Sequence, residues 1–383
     1  MTARGLPLFA LCPAAGHRRE RYAFWLTGRQ PAMWLSLRFR CPKVRVRCIF
    51  HHDKGVLPMS VHAFRFASAG GPEVLQWQEV ELGQPGPGEA LVRNHAVGLN
   101  YIDTYHRSGL YPLALPSGIG LEGAGVVEAV GEGVTNVTPG DRVSYGTGAI
   151  GAYAEARVMP AGSLLKLPDA ISFEAGAAMM LKGMTVEYLL HRTFQLKAGQ
   201  TVLFQAAAGG VGLIAGQWMK AMGVNAIGTA GGPEKCALAL ANGYSHVIDY
   251  NTESVPEKVR EITGGKGVPV VYDSVGKSTW EGSLDCLAPR GLMVNFGNAS
   301  GPVDGVNLGI LGAKGSVYVT RPSLVSYTGT RGELELSAGR LFDVVASGKV
   351  SIKVNQTYPL SEAAQAHRDL EGRKTTGSTV FTV

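Results

Sequence analysis

From residue 59 to about residue 183, apolar and polar positions alternate in short runs broken by turn residues. His62–Ala67 and Glu89–Val97 read as strands, separated by the turn signals Gly70-Gly71-Pro72 and Pro85-Gly86-Pro87-Gly88. Gly125–Val130, Gly131-Glu132-Gly133-Val134 and Pro139-Gly140-Asp141-Arg142-Val143 continue this rhythm, which predicts a compact β-barrel-like domain. Near residue 184 the period changes. Thr201–Ala206 reads as a buried strand. Val211, Ile214, Ala215, Trp218, Met219 and Met222 then form one apolar helical stripe, and Gly223 supplies a stop. Further strands at Ala226–Ala230, Ser245–Tyr250, Val268–Ser274 and Gly291–Phe296 alternate with helical segments such as Val255–Ile262 and Thr279–Leu287. That alternation predicts a doubly wound parallel sheet, and so an α/β chain of two domains. The pieces after about residue 322 are too few for a third domain and are expected to pack back on the first.

The loop between the first strand and helix of the second domain is Ala206-Ala207-Ala208-Gly209-Gly210-Val211-Gly212. Against the dinucleotide pattern G-x-G-x-x-G it gives Ala207-x-Gly209-x-x-Gly212, with alanine in place of the first glycine. Small residues allow a tight turn and let the backbone touch a pyrophosphate, which the helix N-terminus attracts. Taken alone the pattern is weak; its place between a strand and an amphipathic helix gives it weight. NAD-binding proteins put an acid about 20 residues further on, for the ribose 2′-hydroxyl. Here that stretch is Thr229-Ala230-Gly231-Gly232, without a carboxylate, and Lys235 follows. A neutral turn with a nearby cation suits a 2′-phosphate, so NADPH is expected rather than NADH.

Charge and cysteines separate the first 58 residues from the rest. Residues 1–58 hold eleven Lys/Arg against Glu20 and Asp53, a local +9, which leaves −3 on residues 59–383 out of the total of +6. A charge-driven nucleic-acid surface on the body is therefore poorly supported. The Arg-rich leader has no ordered signal-peptide pattern. It is expected to be a basic N-terminal extension outside the fold, with a chain starting at Met59 folding and binding cofactor normally; an organellar transit peptide is the competing reading. Cys12, Cys41 and Cys48 lie in the leader, and only Cys236 and Cys286 in the body, which suits a reducing cytoplasm. No apolar run of about 18 residues exists, so no membrane insertion is expected.

Zinc dehydrogenases need thiolate and imidazole ligands at fixed spacing. Here His62, His95, His106, His191, His246 and His367 are scattered singly, and neither body cysteine pairs with one. No metal is expected. The cofactor must then be set against an acceptor that is already electrophilic, such as a quinone or an enone.

Several segments in order carry a family resemblance: Gly70-Gly71-Pro72-Glu73-Val74-Leu75, Asn100-Tyr101-Ile102-Asp103-Thr104-Tyr105, Arg107-Ser108-Gly109-Leu110-Tyr111-Pro112, the Ala206–Gly212 loop, Val271-Tyr272-Asp273-Ser274-Val275-Gly276, Gly291–Asn298, and Val319-Thr320-Arg321-Pro322-Ser323-Leu324. From about Met59 to Val383 the chain resembles the soluble NADPH:quinone oxidoreductases, the zeta-crystallin-like, zinc-free branch of the medium-chain dehydrogenase/reductase superfamily. Zinc-bearing relatives carry Gly-His-Glu where this chain reads Gly120-Leu121-Glu122. The resemblance implies a GroES-like β-barrel catalytic domain over 59–183, completed by 323–383, and a Rossmann domain over 184–322. It also implies an NADPH:quinone reductase that transfers a hydride, or single electrons to a semiquinone. Asn100, Tyr105 and Tyr111 would be catalytic, at the nicotinamide end of the cleft. Tyr188, Ala208, Gly209, Gly210 and Val211 would surround the phosphates. Gly231, Gly232, Pro233, Glu234, Lys235, Tyr250 and Arg373 would take the adenosine and 2′-phosphate. Phe296, Gly297, Asn298, Ala299, Pro322, Ser323 and Leu324 would run along the nicotinamide, and Tyr101, Ile102, Asp103, Thr104 and Ser274 are further cofactor contacts by the same resemblance. Barrel packing is the competing account of Tyr105 and Tyr111, and a turn or cap role that of Asp103.

Members of this family commonly dimerise edge to edge, with Gly315–Thr320 as the candidate strand. The rival functions are a zinc-free enone, alkenal or enoyl-thioester reductase, and a non-catalytic NADPH- or RNA-binding protein.

Overall fold

The computed structural model describes residues 59–383; the expectations for residues 1–58 lie outside them. Six parallel strands form one sheet in the order His246–Asp249, Asn225–Ala230, Thr201–Phe204, Val268–Asp273, Leu287–Asn295, Tyr318–Thr320. Val202, Leu203, Val270 and Val271 are fully buried. These runs are apolar throughout because helices cover both faces of such a sheet. Strand order reverses between Thr201–Phe204 and Val268–Asp273, and crevices open at the carboxyl ends of strands at such switch points.

The second, largely antiparallel sheet is centred on Glu89–Leu99, which pairs with Glu122–Val130, Ala156–Pro160 and Ser378–Thr382. Arg142–Tyr145, Leu165–Lys166 and Val354–Pro359 extend it, so the chain's last strands close the first lobe. Gly125 is required in this sheet: a Cβ there would overlap the carbonyl of Arg93. Met59–Arg65 and Gln76–Leu82 form a separate hairpin.

A helix absent from the sequence pattern, Phe173–Tyr188, joins the lobes. Ser172 caps it by accepting from Ala175 N at 3.2 Å. It packs on strands of the antiparallel sheet, on the helix Gly210–Ala221 and on the helix Arg331–Ala346. Because it is covered on nearly all sides, its residues show no apolar stripe for a periodicity reading to find. The change of period near residue 184 falls within this helix. A Cβ at Gly183 would meet the Leu341 side chain at 2.5 Å, which is how closely the two helices approach.

Other boundaries differ for local reasons. The strand expected over 201–206 ends at Phe204, because Ala206 turns the chain with a φ of 57°. The strand expected from Gly291 begins at Leu287 and passes through Arg290 at a φ of 60°. The edge strand expected over 315–320 is Tyr318–Thr320, since Gly315 takes a φ of 100°. Among the described residues, no helix is long and apolar enough to cross a membrane.

Candidate active site

The glycine-rich turn runs from the end of Thr201–Phe204 into the helix Gly210–Ala221, and no side chain caps that helix. Its first N–H groups are left for a ligand. The turn is packed to its limit. A Cβ at Gly212 would lie 2.5 Å from Ala206 O and 2.6 Å from Ala207 O, and one at Gly228 would lie 2.6 Å from the Ala207 methyl. Alanine at 207 is therefore accommodated by glycine on the neighbouring strand. The C-terminal chain closes over the turn, where Gly377 N donates to Ala208 O at 2.9 Å. A turn this tight leaves its backbone open to close approach by a phosphate.

At the end of the second strand, Gly232 takes a φ of 89° and begins the helix Pro233–Ala241, which carries Glu234 and Lys235. Lys235 Nζ donates to Arg373 O at 2.8 Å, although 138 positions separate the two residues. Tyr250 is half exposed, and its hydroxyl stands where a Cβ on Gly231 would be. The structure thus gathers Gly231–Lys235, Tyr250 and Arg373 into one patch. One carboxylate there escaped the sequence reading. Asp249, from the third strand, accepts from Gly232 N at 2.9 Å and from Asn251 N at 3.0 Å, so this oxygen shapes the turn.

The opposite wall is aromatic. Asn100 precedes the helix Tyr101–Ser108, which carries Tyr101, Ile102, Asp103, Thr104 and Tyr105. Tyr101, Tyr105 and Tyr111 form a row, with ring centroids 5.7 Å and 5.2 Å apart. The row meets the loop Phe296–Ala299 of the other lobe. Tyr105 Oη accepts from Asn298 N at 2.9 Å, and Tyr101 Oη donates to Ala299 O at 3.4 Å. Tyr111 Oη accepts from Arg321 Nη2 at 2.9 Å. Asn298 satisfies both amide atoms with its oxygen toward Tyr111 and Arg321 (3.1 Å each) and its nitrogen toward Gly297 O (2.9 Å). Burial pushes the Tyr105 phenol far above its ordinary range, against the pull of the Asn298 N–H, so Tyr105 keeps its proton. Packing of the barrel alone does not describe Tyr105 and Tyr111, since both bond across the cleft. Arg321 is a further cleft residue: it lies in the Val319–Leu324 segment that carries the resemblance, but no role was expected of it.

Ala299 N donates to Ser274 O at 3.2 Å, which ties Ser274 to the same loop. Pro322, Ser323 and Leu324 follow the last strand and lead to Tyr327. The Tyr188 ring is buried and stacks on Tyr327, with centroids 4.4 Å apart. Thr104 Oγ1 turns back to Tyr101 O at 2.7 Å.

Asp103 is fully buried, accepts from Asn100 N and Tyr153 Oη at 2.9 Å each, and closes the first turn of its helix. It therefore acts as a cap. Behind it runs a buried chain: Tyr153 Oη lies 3.1 Å from His367 Nε2, and His367 Nδ1 lies 2.9 Å from Arg107 Nη1. Burial raises the Asp103 carboxyl to about 7; the Asn100 N–H, the Tyr153 hydroxyl and the Lys182 charge act against this, and Glu122 acts with it. The folded chain thus holds this proton to a higher pH than the unfolded chain does. The stabilisation is complete below the ordinary carboxylate range and is lost as pH rises through about 7. Asp103→Asn, which cannot titrate, is expected to gain stability relative to the parent by about 3 kcal/mol between pH of about 4 and 8. Denaturant unfolding at the two pH values measures this, and a pH-independent difference would refute it.

Two family profiles match the chain. Residues 86–169 match the alcohol dehydrogenase GroES-like domain, and residues 210–333 match the zinc-binding dehydrogenase domain. Quinone oxidoreductase of Pseudomonas aeruginosa is 58% identical over 318 residues, covering 83% of this chain and 98% of that protein. The crystal structure of Escherichia coli quinone oxidoreductase complexed with NADPH superposes with a TM-score of 0.83 at 53% identity, covering 84% of this chain and all of that one. The 2-haloacrylate reductase of a Burkholderia species is 46% identical, covering 82% of this chain and 96% of that protein. The second profile's description implies zinc, but the residues do not fit it. Among the described residues no three His, Cys, Asp or Glu side chains are grouped to hold an ion. Glu122, beside Leu121, is instead taken up by Lys182, Asn100 and Leu181 N.

Proposed function

Given that the chain belongs to the quinone oxidoreductases of the medium-chain dehydrogenase/reductase superfamily, we propose that it catalyses NADPH-dependent reduction of a quinone. The observation that carries this reading is the run of the cleft, from the Lys235–Tyr250–Arg373 patch, past the glycine-rich turn, to the tyrosine row. When bound, NADPH supplies a hydride equivalent from its nicotinamide. The chain's own residues do the rest. Lys235, Tyr250 and Arg373 hold the 2′-phosphate, and the N–H groups at Gly210 and Val211 hold the pyrophosphate. Asn100, Tyr105 and Tyr111 orient the acceptor beside Phe296–Ala299, and the rings keep water from it. In this division of labour, residues 59–183 with 323–383 form the catalytic domain and 184–322 the cofactor domain.

Turnover of a panel of small quinones, with NADPH and with NADH, before and after chelation, tests the reading. Quinone reduction that prefers NADPH and survives chelation is expected; equal use of NADH, or loss on chelation, would sink it. The 2-haloacrylate reductase relative supports a second reading, reduction of an activated alkene, and the same panel with 2-haloacrylates and enones separates the two. Solvent can protonate a reduced quinone. Tyr111→Phe is therefore expected to keep kcat within about fivefold, whereas a loss of about 100-fold or more, the range for a general acid, would make Tyr111 the proton donor. The protein is a cytoplasmic homodimer in this reading, paired through Tyr318–Thr320, whose Tyr318 is 62% exposed; light scattering decides it.

A further inference from the structure

Beside Asn100 lies a buried ion pair that the proposed reaction has not used. Lys182 and Glu122 are 5% and 0% exposed, and Lys182 Nζ donates to Glu122 Oε2 at 2.8 Å. The same carboxylate oxygen accepts from Asn100 Nδ2 at 2.8 Å, while Oε1 accepts from Leu181 N at 2.8 Å. The lysine stem lies directly under the glycine-rich turn: a Cβ on Gly210 would come 2.9 Å from Lys182 Cδ and 3.0 Å from Cε. One side chain therefore touches the cofactor turn of one lobe and, through one carboxylate, the cleft asparagine of the other.

The chemistry of this contact is exacting. A carboxylate buried without a counter-ion is driven to take up a proton. Both oxygens of Glu122 are occupied here, Oε1 by Leu181 N and Oε2 by Lys182 Nζ and Asn100 Nδ2 together. Lys182 Nζ holds the carboxylate in place, and the oxygen that it shares with Asn100 keeps the Asn100 amide in one orientation. Burial of an ion pair costs about as much as it returns, so stability alone is a poor reason for this arrangement.

We propose that Lys182 is a positioning residue for the reduction: through Glu122 it fixes Asn100 against the bound nicotinamide and acceptor, in register with the turn at Gly210. This rests on the reductase reading, and turnover by the unmodified enzyme checks that reading separately.

Lys182→Met keeps a stem of similar length under Gly210 and removes the charge. Its kcat is expected to fall about 10- to 100-fold, with the NADPH dissociation constant, read by titration of protein fluorescence, changed less than about threefold. Adding Glu122→Gln removes the unpaired carboxylate and gives Asn100 Nδ2 an amide oxygen to bond, while the amide nitrogen faces Leu181 N and that one hydrogen bond is lost. The double variant is expected to turn over at least about threefold faster than Lys182→Met. It also carries the test if the single variant proves too unstable to assay. Unchanged kcat in Lys182→Met overturns the proposal. So does a double variant that is folded and binds NADPH normally but turns over no faster than the single variant. Loss of NADPH affinity in step with kcat also overturns it, since Lys182 would then be a cofactor contact.

Discussion

Replacing Lys235 with glutamate is expected to weaken NADPH binding by about 100-fold and to leave NADH binding within about threefold. Lys235 is partly exposed, and its one side-chain bond is to the Arg373 carbonyl, so the fold loses little when it changes. A charge-assisted bond to a phosphate is worth about 1.5–3 kcal/mol, and a carboxylate placed there adds repulsion to the loss. NADH has no 2′-phosphate and so loses neither. Isothermal titration with the two dinucleotides reads the change in ratio. If both affinities fell together, Lys235 would be holding the turn at Gly231–Gly232, and the cofactor preference would have to come from elsewhere in the patch.

The largest loss of stability is expected from Arg107→Met, about 3–5 kcal/mol in denaturant unfolding near neutral pH. Arg107 is 2% exposed and satisfies partners on three sides. Nη1 and Nη2 grip Glu371 at 3.1 Å and 2.7 Å, Nε donates to Gly70 O at 3.1 Å, and Nη1 donates to His367 Nδ1 at 2.9 Å. Methionine fills part of the volume but leaves a carbonyl and an imidazole nitrogen without donors.

The pH dependence of this loss has a definite sign. His367 is pushed down to about 3, first by burial and second by the Arg107 charge. In the folded parent it stays neutral while the unfolded chain takes up the proton, so this contribution falls as pH drops from about 6.5 toward 3. Without Arg107 the depression is smaller, and the deficit of the variant should shrink at about pH 5. A deficit that grew on acidification would show that Arg107 is not what His367 feels.

Most strands and the helices of the parallel sheet were legible because their signals are local. Val255–Ile262 was placed to the residue, since a period of 3.6 needs no knowledge of the rest of the chain. The glycine-rich turn was legible for the same reason: the strand, the turn and the helix N-terminus are contiguous. The helix Phe173–Tyr188 was not, because burial on nearly all sides erases the stripe that would announce it. Nor was Arg321, whose partner Tyr111 stands 210 positions earlier.

The sequence by itself determined which chemistries were open. It set the small residues at the glycine-rich turn, left Thr229–Gly232 without an acid, scattered the histidines and put leucine at 121. Each of these is a choice of residue type at one position or within one segment. Tertiary structure alone decided which groups meet. It brought Lys235 to Arg373, Asp249 to Gly232, and Asn100 and Lys182 to one oxygen of the buried Glu122. The reason is that hydrogen bonds and ion pairs depend on distance and burial. Those are fixed only when the last strands return to the first sheet and Phe173–Tyr188 packs against both lobes.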